Sequence, residues 1–232
     1  MNKLILKIFI LLRNSFLRKP IVKFLLRLHN FSYQWAGFFC LEDGVHPKHR
    51  LMNYHKFFVD NISPDDMVLD VGCGNGALTY DLAKKAKKVI GVDINKENIY
   101  FAKKKFSRDN IEYICADFRS LHSTPRGNSN ITPEFNVITL SNVLEHIKDR
   151  AEFLGDLVSK YPKAKFLIRA PMINRDWLVF YKKELGIEWR ADKTHYIEYT
   201  LESFREELEK AGLKIENHSI QFGETWAVVI KN

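Results

Sequence analysis

The stretch Val68-Leu69-Asp70-Val71-Gly72-Cys73-Gly74-Asn75-Gly76 places a carboxylate two residues ahead of three glycines at alternate positions. Without a Cβ, the chain can turn sharply there and let a ligand reach the main chain and the free N–H groups of a following helix. Such a turn suits a nucleotide-like cofactor. Its spacing is not that of the dinucleotide fingerprint, G-x-G-x-x-G, and Asp70 would repel a pyrophosphate. The pattern is compatible instead with a cofactor that is cationic and carries an amino group. Further on, Lys88-Val89-Ile90-Gly91-Val92-Asp93 ends in a second acid. A carboxylate at a strand end, about 20 residues beyond the glycine turn, can accept hydrogen bonds from both ribose hydroxyls.

These groups need elements to hold them. Residues 67–71 are apolar apart from Asp70, as a strand covered on both faces of a parallel sheet should be. Helices over 77–86 and 95–107, the second capped by Asn95, alternate with strands over 88–93 and 111–116. A strand over 135–140, a helix over 150–160 and a strand over 165–170 continue the alternation, which is that of a doubly wound α/β sheet. A helix over 202–211, stopped by Gly212, precedes a closing hairpin of 213–221 and 225–230. Residues 121–133, with Ser123, Pro125, Gly127 and Asn128, read as a loop. At 232 residues the chain accommodates one such domain with an N-terminal extension.

The motif VLDVGCGNG resembles motif I of the class I S-adenosylmethionine-dependent methyltransferases, in the form typical of those acting on small molecules, lipids and sugars. The similarity runs from about Val68 to Asn232. It implies a Rossmann-like sheet of seven strands with the last antiparallel, and S-adenosyl-L-methionine as cofactor. Asp70, Gly72, Gly74, Gly76 and Asp93 would then hold the cofactor, with Ile94 packed on the adenine. The resemblance further implies that Asp117 receives the adenine amino group, Phe118 lies beside the ring, and Ser141 and Asn142 line the pocket. A helix ahead of motif I often supplies a basic residue to the methionine carboxylate in this family, a part for Arg50 or Lys48. His146 falls where several relatives place a histidine near the substrate hydroxyl.

Methyl transfer from a positively charged sulfur mainly needs the nucleophile aligned with the carbon. A hydroxyl nucleophile must also lose a proton, and histidine is the natural general base. His146 and His195 are the leading candidates, with His49 and His46 behind them. No spacing of carboxylates argues for a metal, although scattered Asp and His residues can converge in a fold. Cys40, Cys73 and Cys115 form no C-x-x-C pair, which fits a reducing cytoplasm.

The net charge is +8, yet Lys3, Lys7, Arg13, Arg18, Lys19, Lys23 and Arg27 all precede the first acid, Glu42. The rest of the chain is nearly neutral, which removes the case for a nucleic-acid partner. Residues 1–43 therefore read as a basic amphipathic extension, serving either as a helical lid or as a contact with an anionic membrane on its inner face. Residues 44–232 form the methyltransferase domain, and the aromatic-rich segment 171–199 is expected to be its substrate cap. By analogy with the family, the acceptor is a sugar or lipid-linked intermediate of bacterial surface polysaccharide synthesis, with a quinone-like or lipid acceptor as the alternative. A cofactor-binding scaffold without turnover is the alternative from another class.

Overall fold

Two helices open the chain, α1 (Lys3–Arg13) and α2 (Arg18–Phe39), followed by the short α3 (Lys48–Met52) and α4 (Tyr54–Asp60). Strands and helices then alternate as β1 (Met67–Val71), α5 (Ala77–Leu82), β2 (Lys88–Asp93), α6 (Lys96–Lys105) and β3 (Ile111–Cys115). After β4 (Val137–Ser141) come a 3₁₀ turn (Leu144–His146), α7 (Arg150–Lys160) and β5 (Lys165–Pro171). The order closes with α8 (Trp177–Glu184), α9 (Leu201–Lys210), β6 (Leu213–Gln221) and β7 (Glu224–Lys231). This computed structural model describes residues 3–42, 45–118 and 134–232. The loop expected over 121–133 and the boundary expected at 43–44 lie outside the described residues.

The strands form one seven-stranded sheet in the order β3-β2-β1-β4-β5-β7-β6. All neighbours through β5 pair in parallel, and β7 runs against both β5 and β6. The expected antiparallel last strand is therefore present, inserted inside the sheet rather than placed at its edge. The two-residue period of the strands sorts the core onto two faces. Leu69, Val71, Ile138, Leu140, Phe166 and Ile168 face α7 and α9 through Phe153, Leu157, Phe204 and Leu208. Val68, Val89, Val137 and Leu167 face the other way, onto Tyr54 and Phe58 of α4 and Leu78 and Leu82 of α5.

Local chemistry sets the ends of the elements. Asn95 caps α6 by accepting from the N–H groups of Glu97 and Asn98, as expected. The helix expected over 77–86 stops at Leu82. The Asn110 side chain donates to the carbonyls of both Ala83 and Ala86 at 2.9 and 3.0 Å. That side chain takes the place of a further helical turn.

The chain divides into two compact units, Met52–Arg175 with Thr194–Asn232, which holds the sheet, and Met1–Leu51 with Asp176–Lys193. The middle of the expected substrate cap thus belongs with the N-terminal helices. Lys182 of α8 is buried and donates to Asn30 Oδ1 of α2 at 2.7 Å, while Asn30 Nδ2 donates to the Glu188 carbonyl at 2.7 Å.

Candidate active site

The strand order switches between β1 and β4, and in open α/β sheets ligands bind outside the carboxyl ends of the strands at such a switch. The glycine turn follows β1 there, and Ser141-Asn142 ends β4 beside it. Gly72, Gly74 and Gly76 all have positive φ, at 69°, 54° and 84°. Their surroundings give them different tasks. A Cβ at Gly72 would lie 2.6 Å from Val143, and one at Gly76 would lie 2.7 Å from Ala102 and from the Tyr113 hydroxyl. At Gly74 nothing lies within 4 Å. Packing thus demands two of the glycines, while the third leaves its main chain open to a cofactor.

Asp93 ties this turn to the end of β2. Its Oδ2 accepts from the Gly74 N–H at 2.9 Å and its Oδ1 from the Asn95 N–H at 2.8 Å. Each carboxylate oxygen has further lone pairs, so the group can brace the turn and still accept from a ribose. Ile94, next to it, is exposed, as a side chain that covers a flat ring should be.

Asp70 is turned into the fold. Its two oxygens accept from the hydroxyls of Thr79 and Thr139, both at 2.6 Å, which joins β1 to α5 and β4. Complete burial lifts its carboxyl to about 6, against the lowering effect of those two hydroxyls. The folded state thus holds a proton that the unfolded chain releases near the ordinary Asp value, so the stability contributed by this group is fully present below about 4 and is lost as pH rises through about 6. Relative to Asp70→Asn, we expect the unfolding free energy to drop by a few kcal/mol across that window. Urea titrations at several pH values check this, and Asp70→Asn should flatten the curve.

At the end of β4, Asn142 holds a left-handed conformation, φ 55°, uncommon for a residue with a side chain. Its Oδ1 is buried with no hydrogen-bond partner, and its Nδ2 reaches Glu224 at 3.4 Å. Behind it, the buried Arg169 binds Glu224 through Nε and Nη2 at 2.5 and 3.1 Å and donates to Ser141 Oγ at 3.1 Å. The guanidinium also lies 3.6 Å from the centre of the Tyr54 ring.

The two candidate histidines, far apart in sequence, meet. The rings of His146 and His195 are 4.8 Å apart, edge to face. His146 Nδ1 is 2.9 Å from Thr194 Oγ1, and His195 Nδ1 is 3.1 Å from Glu198 Oε1. Glu198 is itself buried and pairs with Arg175. Between the histidines the fold adds Glu145, which the sequence did not single out. It is 0% exposed, and neither carboxylate oxygen has a hydrogen-bond partner. Burial lifts its carboxyl to about 7, opposed by the charges of His195 and Arg169. One donor atom from each of Glu145, His146 and His195 falls within 4.8 Å of the others, a set that can hold a divalent cation. Glu198 on the far nitrogen of His195 is the usual support of a metal-binding or proton-accepting imidazole.

Phe118, Asp117, Arg50 and His46 complete the expected set. Phe118 is buried and packs edge to face with Phe153 at 5.9 Å. Asp117 follows β3, partly buried. Arg50, in the unit of Met1–Leu51, is exposed and pairs with Glu42 at 3.2 Å. His46, of the same unit, accepts from the Lys48 N–H at 3.0 Å and lies 3.4 Å from Cys40 Sγ.

A parallel sheet of this order, with a glycine turn after β1, an acid after β2 and one antiparallel strand set inside the sheet, defines the class I methyltransferase architecture. The model of the methyltransferase domain family matches residues 46–218, and the chain belongs to that family. Its cofactor is S-adenosylmethionine. Similar sequences include the mitochondrial ubiquinone biosynthesis O-methyltransferase of Saccharomyces cerevisiae, 31% identical over 51% of this chain and 37% of that protein. The ubiquinone biosynthesis O-methyltransferase of Rhizobium johnstonii is 29% identical over 64% of this chain and 60% of that protein. The chain thus matches less than two thirds of the length of these relatives. A TehB-like S-adenosylmethionine-dependent methyltransferase from Corynebacterium glutamicum shares the fold, with TM-score 0.55 and 16% identity over 92% of this chain and all of that one.

Proposed function

We propose that this chain transfers a methyl group from S-adenosylmethionine to a hydroxyl on the ring of a quinone-like acceptor. The observation that carries this reading is the convergence of His146, His195 and Glu145 near the end of β4. The similarity to O-methyltransferases of ubiquinone biosynthesis supports a ring hydroxyl over the sugar that family analogy first suggested. Proton chemistry supports the same choice. A phenolic hydroxyl has a pKa of about 10 and an imidazole about 6.5, so transfer between them costs about 5 kcal/mol. An aliphatic hydroxyl is a weaker acid than a phenol, so the same transfer costs more from it.

In this reading Gly74 and Asp93 hold the cofactor, whose sulfonium supplies an activated methyl group. Asn142 and Ser141 line the crevice beside it. His195, oriented by Glu198, or His146 takes the hydroxyl proton.

The test is methyl transfer by the purified chain to a soluble ortho-dihydroxybenzene and, separately, to a nucleotide sugar. Transfer to the ring hydroxyl is expected, with His195→Ala lowering kcat by roughly a hundredfold or more. Transfer to the sugar alone would overturn the acceptor class. Wild-type rates in both His195→Ala and His146→Ala would remove the histidines from the mechanism, and cofactor binding without any transfer would favour a scaffold.

A further inference from the structure

The N-terminal helices leave a large apolar surface uncovered. No residue of α2 is buried. Along it, Phe24, Leu28, Phe31, Trp35 and Phe38 recur at intervals of three and four, so they share one face. All five are exposed. Trp35 joins this stripe into a ridge, contacting Phe31, Phe38 and Phe39 at ring-centre distances of 6.1, 5.7 and 5.8 Å. The turn before α2 carries Phe16, 88% exposed, and α1 adds exposed Phe9 and Leu11. The opposite side of α2 is already engaged, since His29 and Asn30 meet Lys182 there.

Cations flank the stripe and acids do not. Lys19, Lys23 and Arg27 form a column one turn apart beside it, Arg18 stands at its start, and no acid occurs before Glu42. That charge pattern decides among the surfaces that could cover an apolar stripe. A second copy of the helix would set like charges along both sides of the seam, where paired helices need opposite ones. An anionic lipid surface attracts every one of them, each lysine or arginine near it raising partition roughly fivefold. Tryptophan and phenylalanine suit the boundary between headgroups and acyl chains. Among the described residues no helix is long and apolar enough to cross a membrane, so the fitting geometry is a helix lying along the surface.

We propose that α1 and α2 dock this chain on an anionic membrane surface, with the Phe24–Phe38 stripe in the headgroup boundary and the Lys19–Arg27 column on anionic headgroups. The proposal rests on the extension alone and stands whatever acceptor the methyltransferase site takes.

Deleting the helices would be a poor test, because it also strips Asn30 from the buried Lys182. Substitutions on the exposed faces avoid this. The full chain is sedimented with vesicles of phosphatidylcholine alone and of phosphatidylcholine mixed with phosphatidylglycerol. Wild type should pellet with the mixed vesicles and release in high salt. Lys19→Glu/Lys23→Glu/Arg27→Glu should weaken pelleting by roughly a hundredfold or more. Trp35→Ser/Phe38→Ser should weaken it at unchanged charge. Unchanged S-adenosylhomocysteine affinity in each variant certifies the fold. Absence of wild-type pelleting, or pelleting indifferent to charge reversal, overturns the proposal. A concentration-dependent dimer that only Trp35→Ser/Phe38→Ser abolishes, without vesicle binding, would assign the stripe to a second copy.

Discussion

Asp93→Ala is expected to weaken S-adenosylhomocysteine binding by roughly a hundredfold, because two kinds of charge-assisted hydrogen bond are lost together. The carboxylate braces the turn through the Gly74 N–H and the start of α6 through the Asn95 N–H. It is also the acceptor that a ribose would meet at the end of β2. Asp93→Asn separates these contributions. The amide keeps one acceptor oxygen, which can still serve Gly74, but it presents a donor where the second oxygen stood. Calorimetric titration should therefore rank wild type above Asn and Asn above Ala, with thermal stability changing far less than affinity. Equal affinity in all three proteins would remove Asp93 from the cofactor site.

The second large effect is expected at Arg169 and Glu224. Arg169 is 2% exposed and its guanidinium is held by Glu224, the Ser141 hydroxyl and the Tyr54 ring face. Removing one partner of such a pair leaves a buried charge uncompensated, at about 3–5 kcal/mol. Arg169→Met and Glu224→Leu should each lower stability by about that much, and the double substitution should recover most of the loss. Denaturant unfolding of the four proteins closes the cycle. The double variant should still bind cofactor poorly, because Asn142 would lose the Glu224 oxygen near its amide. Single substitutions costing under about 1 kcal/mol would show that the site is solvated.

The glycine turn and the strands around it are legible because their signals are local. Positive φ at three alternating positions demands glycine, and the two-residue period of β1 and β2 separates both faces of the sheet over five or six residues. Asp93 follows from the same logic. Glu145 was not legible, since an acid beside a histidine reads as a solvated turn until the fold buries it. The meeting of His146 with His195 depends on a path of nearly fifty residues through β5 and α8, which no local pattern encodes. Phe118, just after β3, packs edge to face on Phe153 of α7, a contact between distant segments that spacing does not show. Arg50 pairs with Glu42 on the surface, a partner that sequence spacing does not show.

The position of β7 bears on how the chain is made. It follows every other described strand in sequence, yet it lies between β5 and β6, and among the described residues it is the only strand to which β6 pairs. Strands β1 to β5 neighbour one another and can assemble as they leave the ribosome, whereas β6 emerges with no place in the sheet. Until β7 is synthesised and inserted, the outer edge of β5 offers unpaired N–H and C=O groups to any passing strand. Nascent chains halted before Glu224 thus carry that open edge, and the step that ends this exposure also delivers Glu224 to Arg169.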